Sequence, residues 1–238
     1  MFVKICGITR EDDALLAVAM GADAVGFIFA PSKRQIAPGI ARDIARRLPP
    51  EILTVGVFRD EAPSRVIDVA RSAGLRAVQL HGHETADDTR LVRSQIPFVI
   101  KALPAGSRDL ARADEFGADV IMVDSPTPGS GRVFDWSLIE GVPDGVRLLL
   151  AGGLTPDNVA SAIEVVKPWG VDAASGVEAA RGEPGQKDAR KVKNFIEAAK
   201  AAGELIDDVY AGAAASPLGP GLAVDEPVPY DWSQDDRP

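Results

Sequence analysis

Short apolar runs recur along the chain, each followed by a longer stretch in which apolar positions return every three to four residues. The runs are FVKIC (2–6), DAVGFIF (23–29), ILTVGVF (52–58), RAVQL (76–80), FVIKA (98–102), DVIMVD (119–124), VRLLLA (146–151) and GVDAAS (170–175). Runs this short and this apolar predict strands buried on both faces. The stretches between them, such as EDDALLAVAM, PSRVIDVARSAG, ETADDTRLVRSQ and PDNVASAIEVVK, carry the helical period. Gly21, Gly74 and Gly117 stand where a helix should stop and a strand restart, a position that favours a left-handed C-cap. Thr155-Pro156-Asp157 reads as an N-cap followed by proline in the first turn.

Eight strand–helix pairs within about 200 residues predict a single (β/α)8 TIM barrel over residues 1–202, closed by a helix at 188–202. A doubly wound open sheet is the main alternative. It prefers a glycine fingerprint after the first strand, and KICGIT does not supply one.

Beyond Gly203 the periodicity stops. Residues 203–238 are rich in Ala, Gly, Pro and acid, the composition of a disordered tail with too little apolar surface to offset its ordering entropy. Tyr230 and Trp232 leave open a tail that docks on the barrel or on a partner. The tail also holds much of the charge. Its eight acids stand against Arg237 alone, so the chain's net −9 becomes −2 in residues 1–202, with 25 bases against 27 acids. Neither part suits nucleic acid as a partner. No leader or apolar span of membrane length is visible, and the one cysteine cannot form an internal disulfide. The expected location is the cytoplasm.

The barrel reading directs attention to the C-terminal ends of the strands, where such barrels carry their chemistry. Cys6 follows the first run, Pro31-Ser32-Lys33-Arg34 the second and Arg59-Asp60 the third. His81-Gly82-His83 follows the fourth, Asp124 ends the sixth, and Gly152-Gly153 and Ser175-Gly176 follow the last two. The paired glycine turns after the seventh and eighth strands expose backbone N–H groups suited to a phosphate, although such glycines can serve tight turns alone. Cys6 is either a buried filler or a thiol acting as general base or nucleophile. Asp124 is either a turn or cap residue or a general acid. A base and an acid on opposite sides of one mouth suit proton transfer between adjacent carbons. His81 and His83 at i, i+2 do not make a zinc site, so no metal is expected.

KICGIT, ADAVGFIF, SKR, VGVF, VQLHG, the Asp124 loop ending GSGRVFDW, LAGGLTPDNV and VDAASGVE occur in this order. Together they closely resemble the phosphoribosylanthranilate isomerase family over residues 1–202. The resemblance implies a cofactor-free Amadori rearrangement of an N-ribosyl anthranilate phosphate to the 1-deoxyribulose compound, the third step from chorismate to tryptophan. It implies Cys6 as general base, Asp124 as general acid and Arg34 as partner of the anthranilate carboxylate, where composition alone allows a solvated loop arginine. It further implies Gly152, Gly153, Ser175 and Gly176 as the phosphate site, with Gln79 and His81 lining the mouth in a binding or merely structural role. The partner is then a small phosphorylated substrate, and the protein a monomer or homodimer. Three features depart from the family pattern: Ala174 stands where a second serine often precedes GVE, the loop after Asp124 is short, and the tail after residue 203 lies outside it. Competing readings are another cofactor-free sugar-phosphate isomerase or epimerase, an FMN- or phosphate-binding barrel, and a non-catalytic sensor of a phosphorylated ligand.

Overall fold

A computed structural model describes residues 1–125, 135–139 and 141–206. Eight parallel strands close on themselves in sequence order: β1 (Phe2–Cys6), β2 (Ala24–Ile28), β3 (Leu53–Phe58), β4 (Ala77–Leu80), β5 (Phe98–Pro104), β6 (Val120–Asp124), β7 (Leu148–Leu150) and β8 (Gly170–Ala173). The expected barrel is present, with each expected run forming its strand. The helices are α1 (Glu11–Ala19), α2 (Pro38–Ala45), α3 (Pro63–Ser72), α4 (Ala86–Arg93), α5 (Val159–Val166) and α6 (Ala189–Glu204). Most of the loop after Asp124 and the tail from 207 onward lie outside the described residues.

Local chemistry explains the helix boundaries. Proline opens α2 and α3, where the missing N–H costs nothing. A reciprocal Thr85–Asp88 capping box opens α4, and Asp88 is held below the usual carboxylate range by those Thr85 hydrogen bonds. Gly21, Gly74 and Gly117 have φ of 94°, 65° and 66°, as the stop signals require. Three boundaries differ from expectation. The segment after β5 is a 3-10 stretch, Arg108–Phe116, broken by non-helical backbone at Arg112. Helix α5 starts at Val159 rather than near Thr155, because Asn158 folds back instead, its Oδ1 accepting from Thr155 N at 2.8 Å. Helix α6 runs to Glu204, Gly203 packs on Met1, and Ile206 is buried in the core.

Two apolar layers hold the barrel. The larger lies between strands and helices and includes Val3, Ile5, Val25, Phe27, Leu80, Ile121 and Phe195. The smaller fills the interior with Phe2, Ala24, Leu53, Val55, Phe98, Ile100, Val120, Met122 and Leu149. Alternation within each strand makes this division, since successive side chains point to opposite faces. Trp169 stacks on Phe2 at 4.4 Å, beside the N-terminal ends of the strands. At that same end Asp23 and Asp119 accept the N–H of Val3 and Val99 at 2.7 and 2.8 Å, and pair with Lys200 and Arg93. These carboxylates serve the fold, which leaves the opposite end for chemistry.

Candidate active site

The interior layer becomes polar toward the C-terminal end. On β1 the positions after Phe2 on the same face are Lys4 and Cys6, which are 0 % and 5 % exposed. On β4 the inward position is Gln79, followed by His81; on β6 it is Met122, followed by Asp124; on β8 it is Asp172. Strand register brings two of these into opposition, because Lys4 and Asp172 are direct partners across the β1–β8 pair. The Lys4 ammonium, fully buried, lies 2.8 Å from Asp172 Oδ1 in a buried ion pair.

Cys6 sits above that pair. Its register partner on β2 is Gly26, and a Cβ built there would lie 2.8 Å from Cys6 Sγ and 3.1 Å from Lys4 Nζ. The missing side chain at Gly26 is therefore the space that both groups occupy. Burial pushes the Cys6 thiol up, against the lowering effect of the Lys4 charge. Burial would lower the Lys4 ammonium, but Asp172 and Cys6 prevail and hold it raised.

Asp124 ends β6 and is 8 % exposed. Its Oδ1 accepts the N–H of Ser125 at 2.7 Å, while Oδ2 lies 3.1 Å from His81 Nε2. His81 Nδ1 in turn lies 2.7 Å from Gln79 Nε2. A Gln79–His81–Asp124 chain thus runs along one wall. With Gln79 donating to Nδ1, His81 presents an Nε2–H to the carboxylate; the opposite tautomer would accept a proton there.

Arg34 is 7 % exposed, which contradicts the solvated-loop alternative. Its Nε and Nη2 meet both oxygens of Glu178, the second contact at 3.1 Å. Burial would raise the Glu178 carboxyl, but the Arg34 hydrogen bond and the Lys187 charge hold it lowered. Lys187 lies 3.6 Å from Glu178 and donates to the Ala174 carbonyl; burial lowers its ammonium.

The two glycine turns meet at the same mouth. Gly152 and Gly153 have φ of 85° and 71°, which turns consecutive backbone amides in one direction. Ser175–Val177 makes a single 3-10 turn. A Cβ on Gly176 would stand 1.8 Å from the Leu154 carbonyl oxygen, so the turns pack backbone to backbone. One cleft is lined by Arg34, Asp124, Ser125, Gly152, Gly153, Asp172, Ser175 and Gly176. It joins most of the expected site residues. Cys6 and Gln79 do not line it; both are buried on the inner faces of β1 and β4, and His81, after β4, reaches Asp124.

Arg59, Asp60 and His83 do not join. Asp60 accepts from His83 N and lies 3.0 Å from its Nδ1, and His83 is largely exposed. Among the described residues no group of three or more His, Cys, Asp or Glu could hold a metal. Lys4, Asp172, Glu178 and Lys187 were missed from sequence. The available signal was a charged residue in the middle of each of the apolar runs FVKIC and GVDAA, a costly placement unless the charges meet.

The chain matches the family model described as N-(5'phosphoribosyl)anthranilate (PRA) isomerase over residues 3–198. An N-(5'-phosphoribosyl)anthranilate isomerase of Desulforudis audaxviator is 49 % identical over 207 residues, covering 84 % of this chain and 98 % of the relative. The crystal structure of phosphoribosyl anthranilate isomerase from Thermotoga maritima superposes with a TM-score of 0.77 at 49 % identity, covering 84 % of this chain and 99 % of that one. A further phosphoribosyl anthranilate isomerase structure, in complex with reduced 1-(o-carboxyphenylamino)-1-deoxyribulose 5-phosphate, gives 0.75 at 48 % identity over the same shares. With the match spanning nearly the whole barrel, the chain belongs to the N-(5'-phosphoribosyl)anthranilate isomerase family.

Proposed function

We propose that the isomerisation characteristic of this family runs in this chain on Cys6 and Asp124, with Arg34 and the two glycine turns holding the ends of the substrate. The substrate is N-(5-phosphoribosyl)anthranilate and the product 1-(2-carboxyphenylamino)-1-deoxy-D-ribulose 5-phosphate, so no atom is gained or lost. Asp124 delivers a proton to the furanose ring oxygen as the C1–O bond breaks and the anilino nitrogen forms a Schiff base. Cys6, as thiolate, takes the C2 proton and gives an enolamine. The enol O–H proton is then lost and C1 gains one, which leaves the ketone. The bonds from His81 and Ser125 fix the direction of the Asp124 carboxyl.

The observation that carries this reading is the single cleft joining Asp124 and Arg34 to both glycine turns. It brings backbone amides suited to an anion, a guanidinium and a carboxyl group to one cleft. Amide N–H groups of Gly152, Gly153, Ser175 and Gly176 receive the phosphate. Arg34, whose Nε edge is engaged by Glu178, offers its Nη1 edge to the anthranilate carboxylate. Gln79 and His81 support the substrate-facing wall.

The protein acts as a monomer or homodimer on this small phosphorylated molecule, in the cytoplasm. Among the described residues no helix is long and apolar enough to cross a membrane. The test is growth of a tryptophan auxotroph that lacks this isomerase step. The gene should restore growth without tryptophan, and the double variant Cys6→Ala/Asp124→Asn should not. Growth restored equally by both would overturn the assignment of the acid and base.

A further inference from the structure

We infer that Lys4 is the positioning residue for Cys6, its ammonium serving as counter-ion to the thiolate, and that Asp172 competes for the same ammonium and so limits how much of its charge reaches the sulfur. The proposal rests on the reading of Cys6 as the base.

The geometry comes from the first strand. Lys4 and Cys6 occupy alternate positions of β1 and share its inner face. The glycine at position 26 leaves one slot on the neighbouring strand, into which Sγ, Nζ and Cε all project, at 2.8, 3.1 and 3.2 Å from the point where a Cβ would stand. Asp172 approaches the ammonium from β8, on the other side, at 2.8 Å. With Lys4 fully buried, bulk solvent screens these charges little. Lys187, from the segment before α6, also acts on the thiol and lowers it. Lys187 is committed elsewhere, facing Glu178 and donating to Ala174 O, with Arg34 and Asp13 also nearby.

A buried thiol needs such help. Transfer into the interior disfavours the thiolate, and that is the largest influence on Cys6. The Lys4 charge is the first influence opposing it, while Asp172 acts with burial. A Lys–Asp pair that merely filled space could be exchanged for apolar residues at little cost. A pair acting on Cys6 has a different signature, because its two members affect the thiol with opposite sign.

That sign difference is the test. Cys6 is the chain's only cysteine, so the ultraviolet absorbance of its thiolate can be titrated against a Cys6→Ser blank in the full-length protein. Lys4→Met should shift the thiol midpoint to higher pH, with the thiolate fraction near neutrality falling roughly tenfold or more. Asp172→Asn should shift it to lower pH and raise that fraction. Should Lys4→Met not fold, the charge-free Lys4→Met/Asp172→Leu pair still applies, and it should move the midpoint up. The acid limb of kcat/KM should follow the midpoint in each case. Midpoints that stay fixed, or that move the same way in the Lys4 and Asp172 variants, would overturn the inference whatever the activity. Midpoints that shift in opposite directions while the kcat/KM profile stays fixed would support the coupling and overturn Cys6 as base.

Discussion

Arg34 and Glu178 meet edge to edge at the barrel mouth, with Nη2 3.1 Å from Oε2, and Lys33 and Lys187 approach the same carboxylate at 3.8 and 3.6 Å. Three cationic side chains therefore gather on one acid. The surplus of positive charge can receive a second carboxylate, and the Glu178 grip fixes the plane in which the guanidinium is offered. Glu178 belongs to β8's loop and Arg34 to β2's, so the pair also ties those two loops together at the mouth.

Arg34→Ala should weaken binding of the carboxylated substrate by about 1.5–3 kcal/mol, read mainly in KM. Glu178→Gln keeps the size but loosens the grip, so its KM should rise by less. Inorganic phosphate should bind both variants as it binds the parent. Were a decarboxylated analogue weakened as much as the substrate by Arg34→Ala, the carboxylate pairing would be wrong.

The Glu178 carboxyl is held low despite burial, chiefly through the Arg34 hydrogen bond. A depressed carboxylate stabilises the fold above its unfolded-state value and loses that contribution as pH falls through the lower folded-state value. Parent and Glu178→Gln should thus differ most near neutrality and converge in acid, below about pH 4. Urea melts across that range measure it. A gap that widens on acidification would contradict the direction.

Asp124→Asn keeps an oxygen for the Ser125 N–H but has no transferable proton, so kcat should fall by roughly 10²–10⁴ with a smaller change in KM. His81→Asn should cost less, since it removes the group that aims Asp124 and leaves the acid in place. A larger loss for His81→Asn would make the histidine the proton donor.

Much of this site was legible from chain order alone. Strand ends can be located from apolar runs, and in a barrel the strand end is also the functional end, so Cys6, Asp124 and the glycine turns could be located before any coordinates. The Lys4–Asp172 pair could not, because it depends on closure between the first and last strands, 168 residues apart. Closure sets which lysine meets which aspartate, and no local period records it. Arg34 shows the same gap. Its position after the second strand was visible, but its buried contact with Glu178 requires the loops after β2 and β8 to meet. The segment after β5 failed for a local reason: its periodicity suits a helix, while non-helical backbone at Arg112 divides it into 3-10 turns.

Helix α6 extends past the boundary that composition suggests, and its end packs on the start of the chain. Gly203 lies against Met1, and Ile206 belongs to the core. Ending the chain after Ala202 should therefore cost about 1.5–3 kcal/mol through loss of the buried isoleucine, lowering Tm by several degrees at roughly 2–4 °C per kcal/mol. Ending it after Ile206 should leave this packing intact. Equal Tm values for the two truncations would show that Ile206 contributes no net stability.

Cys6 gives the sharpest contrast between filler and base. As a base it acts only as thiolate, so kcat/KM should rise with pH through the thiol midpoint. Burial places that midpoint above the ordinary thiol value, against the opposing Lys4 and Lys187 charges. The rising limb should therefore lie on the alkaline side. Cys6→Ser preserves the shape beside Gly26 but substitutes a hydroxyl that scarcely ionises. Its kcat should drop by orders of magnitude while its thermal melt stays close to that of the parent. Gly26→Ala supplies an independent check. It keeps the thiol in the sequence but puts a methyl 2.8 Å from the present Sγ and 3.1 Å from Nζ, so activity should fall as these groups are pushed aside. A filler cysteine predicts the reverse, with modest destabilisation and nearly unchanged turnover in Cys6→Ser. A folded serine variant turning over at the parental rate would remove Cys6 from the chemistry.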